Sequence, residues 1–247
     1  MQKKLSISLV ASFLLATNLF SAQSLETITV TSATKSSQSI KDVTSNVEVI
    51  TAQEIEEKHF TTVGEALNTL PGISISSNGG LGTSSSVFLR GFSSSRVLVL
   101  IDGIRYNDVT SSSGAPFEHL MIGDIEQIEL IKGAQSGVWG ADASAGVINI
   151  ITKTVKTGTH GNATVEYGSF NTKKYGMNLS HKTKDFYVQG SVSKLTSDGF
   201  SVNEPKKSSV NYGTRGEELG YEDDGYDNLT ANIKAGYYIN DENKIDL

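Results

Sequence analysis

Val87-Phe-Leu-Arg-Gly-Phe-Ser-Ser-Ser-Arg-Val-Leu-Val-Leu-Ile-Asp-Gly-Ile-Arg-Tyr-Asn-Asp108 is the stretch on which the fold turns. Val97 to Ile101 is apolar at every position and long enough for one strand, and Asp102-Gly103 closes it with a turn signal. Uniform apolarity predicts a strand covered on both faces. Arg90, Arg96, Asp102 and Arg105 bracket the run. Charges this close to a buried strand are paired or stand at its ends. Taken alone, the run fits the central strand of any small mixed domain.

The neighbouring segments read as the rest of such a domain. Val47 to Ile50 predicts a short strand. Thr51-Ala52-Gln53-Glu54 predicts a capping box, in which Thr51 accepts from the Glu54 N–H and Glu54 reaches back, opening a helix over Ala52 to Lys58. Thr62-Val63-Gly64-Glu65 repeats the device for a helix from Val63 to Leu70, with Val63, Ala66, Leu67 and Leu70 on one face and Pro71-Gly72 as its stop. Ile73 and Ile75 begin a strand, and Asn78 to Gly82 is a loop. A helical turn is predicted over Ile122 to Ile125, then strands over Glu126 to Ile131 and Val147 to Ile151. Trp139, the single tryptophan, fits a core or domain–domain contact.

Composition narrows the function. The 247 residues include 24 glycines and 3 prolines, which suits strands and turns over a helical bundle. Net charge is −6, and −8 once Lys3 and Lys4 leave with a leader, with no basic stripe for nucleic acid. There is no cysteine, and His59, His119, His160 and His181 are scattered without metal-ligand spacing. No nucleophile elbow, phosphate loop or zinc-protease motif is present, so no enzyme is predicted.

Residues 1–24 read as a secretory signal, with Lys3 and Lys4 as the basic end, an apolar run from Leu5 to Phe20 and small residues up to Ser24. Beyond Thr152 the pattern turns to period two. Ala163, Val165 and Tyr167 alternate with polar residues, as do Tyr175, Met177 and Leu179, then Phe186, Val188 and Val192, then Leu229 to Ile239. Each segment approaches the length of a membrane-crossing strand. A soluble sandwich also alternates, so the periodicity by itself leaves both open. Ser197 to Asp227 is a long polar connection holding Glu217, Glu218, Glu222, Asp223, Asp224 and Asp227. It reads as a solvated acidic loop, or as a calcium site without the regular Asp-x-Asp-x-Asp-Gly spacing.

Phe88-Leu-Arg-Gly-Phe92, Val97 to Gly103, Ile128-Glu-Leu-Ile-Lys-Gly133 and Gly137 to Thr152 together resemble, in order, the signatures of the plug domain of TonB-dependent outer-membrane receptors. The resemblance runs from about Glu26 to the chain end. It implies an α+β plug domain, a small mixed sheet with short helices, followed by antiparallel β-strands of an incomplete transmembrane β-barrel. The divisions it implies are a signal over 1–24, a TonB box and flexible linker over 25–42, a plug over 43–153, and the first four or so barrel strands over 160–247. Four strands leave open edges, so a fragment or truncated product without working transport is expected.

The resemblance also implies sites. Glu26-Thr27-Ile28-Thr29-Val30-Thr31-Ser32-Ala33 is rich in β-branched residues. It reads as a free strand edge that can add to another protein's sheet, or as an ordinary first strand; its similarity is to the TonB box, offered to the periplasmic energy-coupling protein TonB. Ser84 to Ser86, Ser93 to Ser95 and Ser111 to Ser113 form three Ser-rich loops, solvated turns or the floor of a ligand site. Asn78 to Gly82, Phe88 to Gly91 and Val97 to Gly103 are most similar to the cobalamin branch. Carried over by position, substrate contacts fall on Ser84, Ser86, Ser93, Ser111 and Ser112, of which Ser86 and Ser112 keep the branch's residue type. Calcium ligands carry over at Glu222 and Asp224. The implied function is active uptake of a scarce chelate, cobalamin first and a ferric siderophore second. A passive channel or adhesin is the alternative of another class.

Overall fold

The computed structural model describes residues 28–31, 36–43, 45–108, 110, 114–201, 223–240 and 243–246. Strand β1 (Thr29–Val30) pairs with β2 (Gln38–Ser39). β3 (Asn46–Thr51) leads directly into helix α1 (Ala52–Glu57), and α2 (Val63–Leu67) follows. β4 (Ile73–Ser77) and β5 (Ser85–Leu89) form a separate hairpin. β6 (Val97–Ile101), β7 (Ile104–Arg105), β8 (Ile125–Lys132), the short helix α3 (Ser136–Trp139) and β9 (Gly146–Thr152) complete the first unit.

The first sheet has the order β3-β8-β9-β6-β7. β6 and β9 are parallel and every other pair is antiparallel. β6 is buried from Val97 to Leu100, as its composition requires, although it lies one strand in from an edge. One sheet face is covered by α1, α2 and the β4–β5 hairpin through Ile55, Val63, Leu67 and Leu89, packed on Val99, Leu130 and Ile148. The opposite face carries Leu98, Leu100, Ile131 and Val147, with Trp139 and Val47 against them. Trp139 is thus a core contact. Burial of each large aliphatic side chain contributes about 1.5–3 kcal/mol.

Both central signatures are tight turns. Arg90 and Gly91 have φ of 50° and 85°, and Asp102 and Gly103 have 49° and 81°. Positive φ at both central residues is the two-residue hairpin turn that matches strand twist. Leu89 and Phe92 exchange backbone hydrogen bonds of 3.0 and 2.9 Å across the first, and β6 and β7 meet across the second.

Several local expectations shift. Thr51 Oγ accepts from Glu54 N at 3.3 Å, but Glu54 pairs with Lys58 at 3.0 Å in place of reaching back. Thr62 Oγ accepts from Glu65 N at 3.1 Å, while Glu65 accepts from Thr61 N one residue earlier. α2 ends at Leu67, short of Leu70, because Thr69 and Leu70 tighten into i→i+3 turns ahead of Pro71. The helical turn lies at Phe117–His119; Ile122 to Asp124 are bends.

Strands β10 (Gly158–Tyr167), β11 (Lys173–Lys182), β12 (Phe186–Ser197), β13 (Tyr226–Tyr238) and β14 (Lys244–Asp246) form an antiparallel meander, the short β14 following the four alternating segments of the sequence. Val165, Met177, Leu179, Val188, Val192, Leu229 and Ile233 all stand exposed on one face of this sheet. Residues of the other parity, among them Asn178, Gln189, Ser193 and Lys234, face the first unit. The sheet is a wall, apolar outside and polar inside, with the first unit against its inner face, the arrangement expected of a plug. No described helix is long and apolar enough to cross a membrane.

Candidate functional site

The plug meets the wall through polar groups. The turn that places Asp102 at positive φ aims its carboxylate at the end of β9, where Thr152 donates from N at 2.9 Å and from Oγ1 at 2.5 Å. Lys234 of β13 completes the cluster, with its Nζ 3.1 Å from Asp102 Oδ2. Burial pushes the Asp102 carboxyl up, and the Thr152 hydrogen bonds with the Lys234 ammonium outweigh it, holding the group below its ordinary value. Asp124 accepts from Gln189 Nε2 at 2.9 Å to both oxygens and from Asn178 Nδ2 at 3.2 Å. There burial prevails over Lys234 and Lys153, and the carboxyl is raised. A cavity of about 780 Å3 lies between plug and wall, lined by Asp102, Asp124, Lys153, Glu166 and Lys234.

The long 198–225 connection marks one end of the wall, the outward end in barrels of this kind. The plug loop 78–82 lies there. A Cβ at Gly80 would sit 3.5 Å from the Phe200 ring, and one at Gly82 would overlap Tyr226. Beneath it is a smaller hollow of about 330 Å3, lined by Glu65, Ile75, Ser77, Leu81, Phe117 and Glu118. Ser84 is exposed at its rim, and its neighbour Ser85 donates to Glu118 at 3.4 Å. Ser86 is half-buried in β5 opposite Ser76. Ser93 is exposed and bonded to Ser95 at 3.1 Å.

The sequence reading missed the serine that organises these loops. Ser94 is buried, and its hydroxyl accepts from Val87 N and donates to Val87 O, both at 2.8 Å. That fold-back brings the Ser93 loop alongside β5, next to Ser86. No sequence signal separates it from its two exposed neighbours. Ser111 and Ser112 lie outside the described residues, as does Glu222, so the carried-over calcium pair has one described member, Asp224. Among the described residues no three acidic or histidine side chains gather for a metal.

The N-terminal strand is not a free edge. Ile28, Thr29, Val30 and Thr31 are described; Glu26, Thr27, Ser32 and Ala33 lie outside. β1 pairs with β2, Ile40 N donates to Ile28 O at 3.0 Å, and Val30 is fully buried. Thr31 N donates to Glu129 of β8 at 3.0 Å. The expectation of an unpartnered strand is corrected: one side of it pairs with β2, and on the other the Thr31 N–H and Thr29 carbonyl are bonded to Glu129 and Gln127, on the sheet face opposite α1 and α2. The bracketing arginines resolve separately. Arg105 pairs with Asp142 at 2.7 Å, and Arg96 lies over the Phe92 ring at 5.8 Å.

Comparison with known proteins agrees with this geometry. Residues 39–147 match the TonB-dependent receptor plug domain. The chain is 35% identical over 226 residues to the vitamin B12 transporter BtuB of Vibrio vulnificus, covering 89% of this chain and 36% of that protein. The chain therefore spans about a third of the length of that relative. Among solved structures, the ferric yersiniabactin uptake receptor FyuA of Yersinia pestis aligns with a TM-score of 0.62 at 22% identity, over 80% of this chain and 29% of that one. The ferripyoverdine receptor of Pseudomonas aeruginosa aligns at 0.66 and 16%, over 87% and 26%. At such identities the two structures speak for the fold alone, a plug inside a strand wall. The first unit thus matches the plug domain of TonB-dependent receptors, and the chain as a whole is similar to members of that family.

Proposed function

We propose that this chain serves in an outer-membrane receptor for active uptake of a cobalamin, powered from the periplasm through residues 26–33. The observation that carries the substrate is the 35% identity to a vitamin B12 transporter across 226 residues, plug and wall strands together. The geometry supports the rest of the reading. Ser84 and Ser93 on loops and Ser86 on β5 offer hydroxyls near one another, and Ser111 and Ser112 are carried with them by sequence position alone. The 28–31 strand, docked on the plug face away from α1 and α2, is taken to add to a partner's sheet once released. The wall's exposed apolar face fits lipid. Glu222 and Asp224 are carried as calcium ligands of the outer loop.

The test is uptake of radiolabelled cyanocobalamin by cells carrying the gene, against cells lacking it and against a ferric siderophore. Cobalamin uptake abolished by deletion of residues 26–33, with surface binding retained, supports the reading. Uptake of the ferric siderophore alone reassigns the substrate, and a pore indifferent to the deletion refutes active transport.

A further inference from the structure

The plug face bearing Leu98, Leu100, Ile131 and Val147 is apolar except at its middle, where Gln127, Glu129 and Asn149 stand on adjacent strands. Glu129 and Asn149 face each other in register and are 0% and 4% exposed. All three point at residues 29–31. Thr31 N donates to Glu129 Oε1 at 3.0 Å and Oε2 at 3.2 Å. Gln127 Nε2 donates to Thr29 O at 2.9 Å, and Asn149 Nδ2 to Thr31 Oγ1 at 3.3 Å. The β1–β2 hairpin has only two residue pairs, too few to stand alone. The strand is held by the patch.

The Thr31 N–H and the Thr29 carbonyl are the groups a partner strand would need for main-chain pairing. Docking on the plug and pairing with a partner therefore compete for the same atoms. We propose that Glu129, flanked by Gln127 and Asn149, is a latch that sets how often the 28–31 strand is available to a periplasmic partner strand. The proposal rests on the reading of that strand as the partner-binding element. The patch chemistry suits a reversible latch. On release, water reclaims one carboxylate and two amides, and Val30 is the one fully buried apolar residue of the strand to become exposed. Among the described residues Asn149 Oδ1 has no partner in the docked form, which weighs against docking and keeps the two states close.

Residues 1–247 hold no cysteine, so a thiol introduced among them is the one labelled there, and the receptor without it gives the background rate. Val30→Cys is placed in the receptor in outer-membrane vesicles and its rate of maleimide labelling measured, with no substrate and no partner present. Labelling should be slow, roughly tenfold faster with Glu129→Ala, and intermediate with Glu129→Gln, which keeps an acceptor and loses the charge. Ile148→Cys, buried beneath the opposite face, should stay unreactive in each background. If it reacts with Glu129→Ala, the plug has opened, and Glu129→Gln and Gln127→Ala decide instead. Val30→Cys labelling as fast as exposed Glu57→Cys in the otherwise unchanged receptor overturns the latch, as does a rate insensitive to these substitutions. Because the readout needs no cobalamin and no partner, it stands or falls separately from the uptake reading.

Discussion

The assignment of β10–β14 to a membrane wall makes a sided prediction at adjacent residues Asn232 and Ile233. Ile233 is 78% exposed at the middle of the apolar face, and Asn232 lines the cavity toward the plug. Leu229 and Tyr237 bound the exposed apolar run of β13, with Ile233 midway. At ~3.4 Å per residue that run is about 27 Å long, and at a strand tilt of ~40° it rises about 21 Å along the membrane normal. This nearly fills the ~25 Å apolar band of such barrels and places Ile233 close to the midplane. Lysine there should cost about 2–4 kcal/mol, a roughly 30- to 700-fold loss in the folding equilibrium. Ile233→Lys and Asn232→Lys receptors would be refolded from urea into lipid vesicles and scored by heat-modifiable gel mobility. Asn232→Lys should fold within about 1 kcal/mol of the parent, its ammonium sharing the wet gap with Asp102 and Asp124. A side chain as exposed as Ile233 has few protein contacts to lose, so a large cost must come from lipid. Equal folding of the two variants would refute the lipid-facing assignment.

Three further outcomes are expected. Ser94→Ala strips hydrogen bonds from both backbone groups of Val87 and should lower plug stability by about 1–3 kcal/mol, read as a fall in the urea midpoint. Gly146→Ala drives a methyl into the Ile131 carbonyl and the Leu89 side chain and should cost about 1–3 kcal/mol by the same measurement; a neutral result would contradict the β8–β9 packing. Asp102 has a folded pKa below 3.8, so its contribution is complete above that ordinary value and is lost as pH falls through the lower, folded one. Asp124, raised by burial, works the other way, its protonated form being favoured in the fold. Asp102→Asn should therefore flatten the acid-induced fall of the unfolding midpoint below about pH 4, and an unchanged or steeper fall would show that the carboxylate is not held by Thr152 and Lys234.

What could be read from the chain alone was local. The Val97 to Ile101 run is buried because it is apolar throughout, and Asp102-Gly103 turns because glycine and a tolerant neighbour accept positive φ; the like turn at Arg90-Gly91 was not expected. The alternation after residue 158 set the two faces of the wall before any partner was known. Contacts between distant residues were out of reach. Thr31 meets Glu129 and Asn149 across separations of 98 and 118 residues, so the strand read as an open edge when it is docked. Asp102 stood out as a charge at a strand end, but alternation shows only the side on which Lys234 lies, not which plug group it meets. The helix caps erred by one partner each, because Lys58 takes Glu54 and the Thr61 N–H takes Glu65, each from four residues away, where the cap partner stood three away.

The placement of polar and apolar chemistry ranks the joints of this structure. Within the plug, β6, β8 and β9 are joined by backbone ladders and by Leu, Ile and Val side chains worth about 1.5–3 kcal/mol apiece. Between plug and wall stand Asp102–Lys234 and Asp124–Gln189, hydrogen bonds and one part-exposed ion pair beside a cavity, each exchangeable with water at about 1 kcal/mol. Between the plug and residues 29–31 stand three hydrogen-bonding side chains and one buried valine. A force applied at the N-terminal strand therefore meets the Glu129 patch first by position, and both that patch and the wall contacts are weaker than the ladders and apolar packing inside the sheet. A plug built this way gives up its docked strand and its hold on the wall while β8 and β9 remain paired. Under the proposed function, that order suits a stopper moved by its tether without being destroyed.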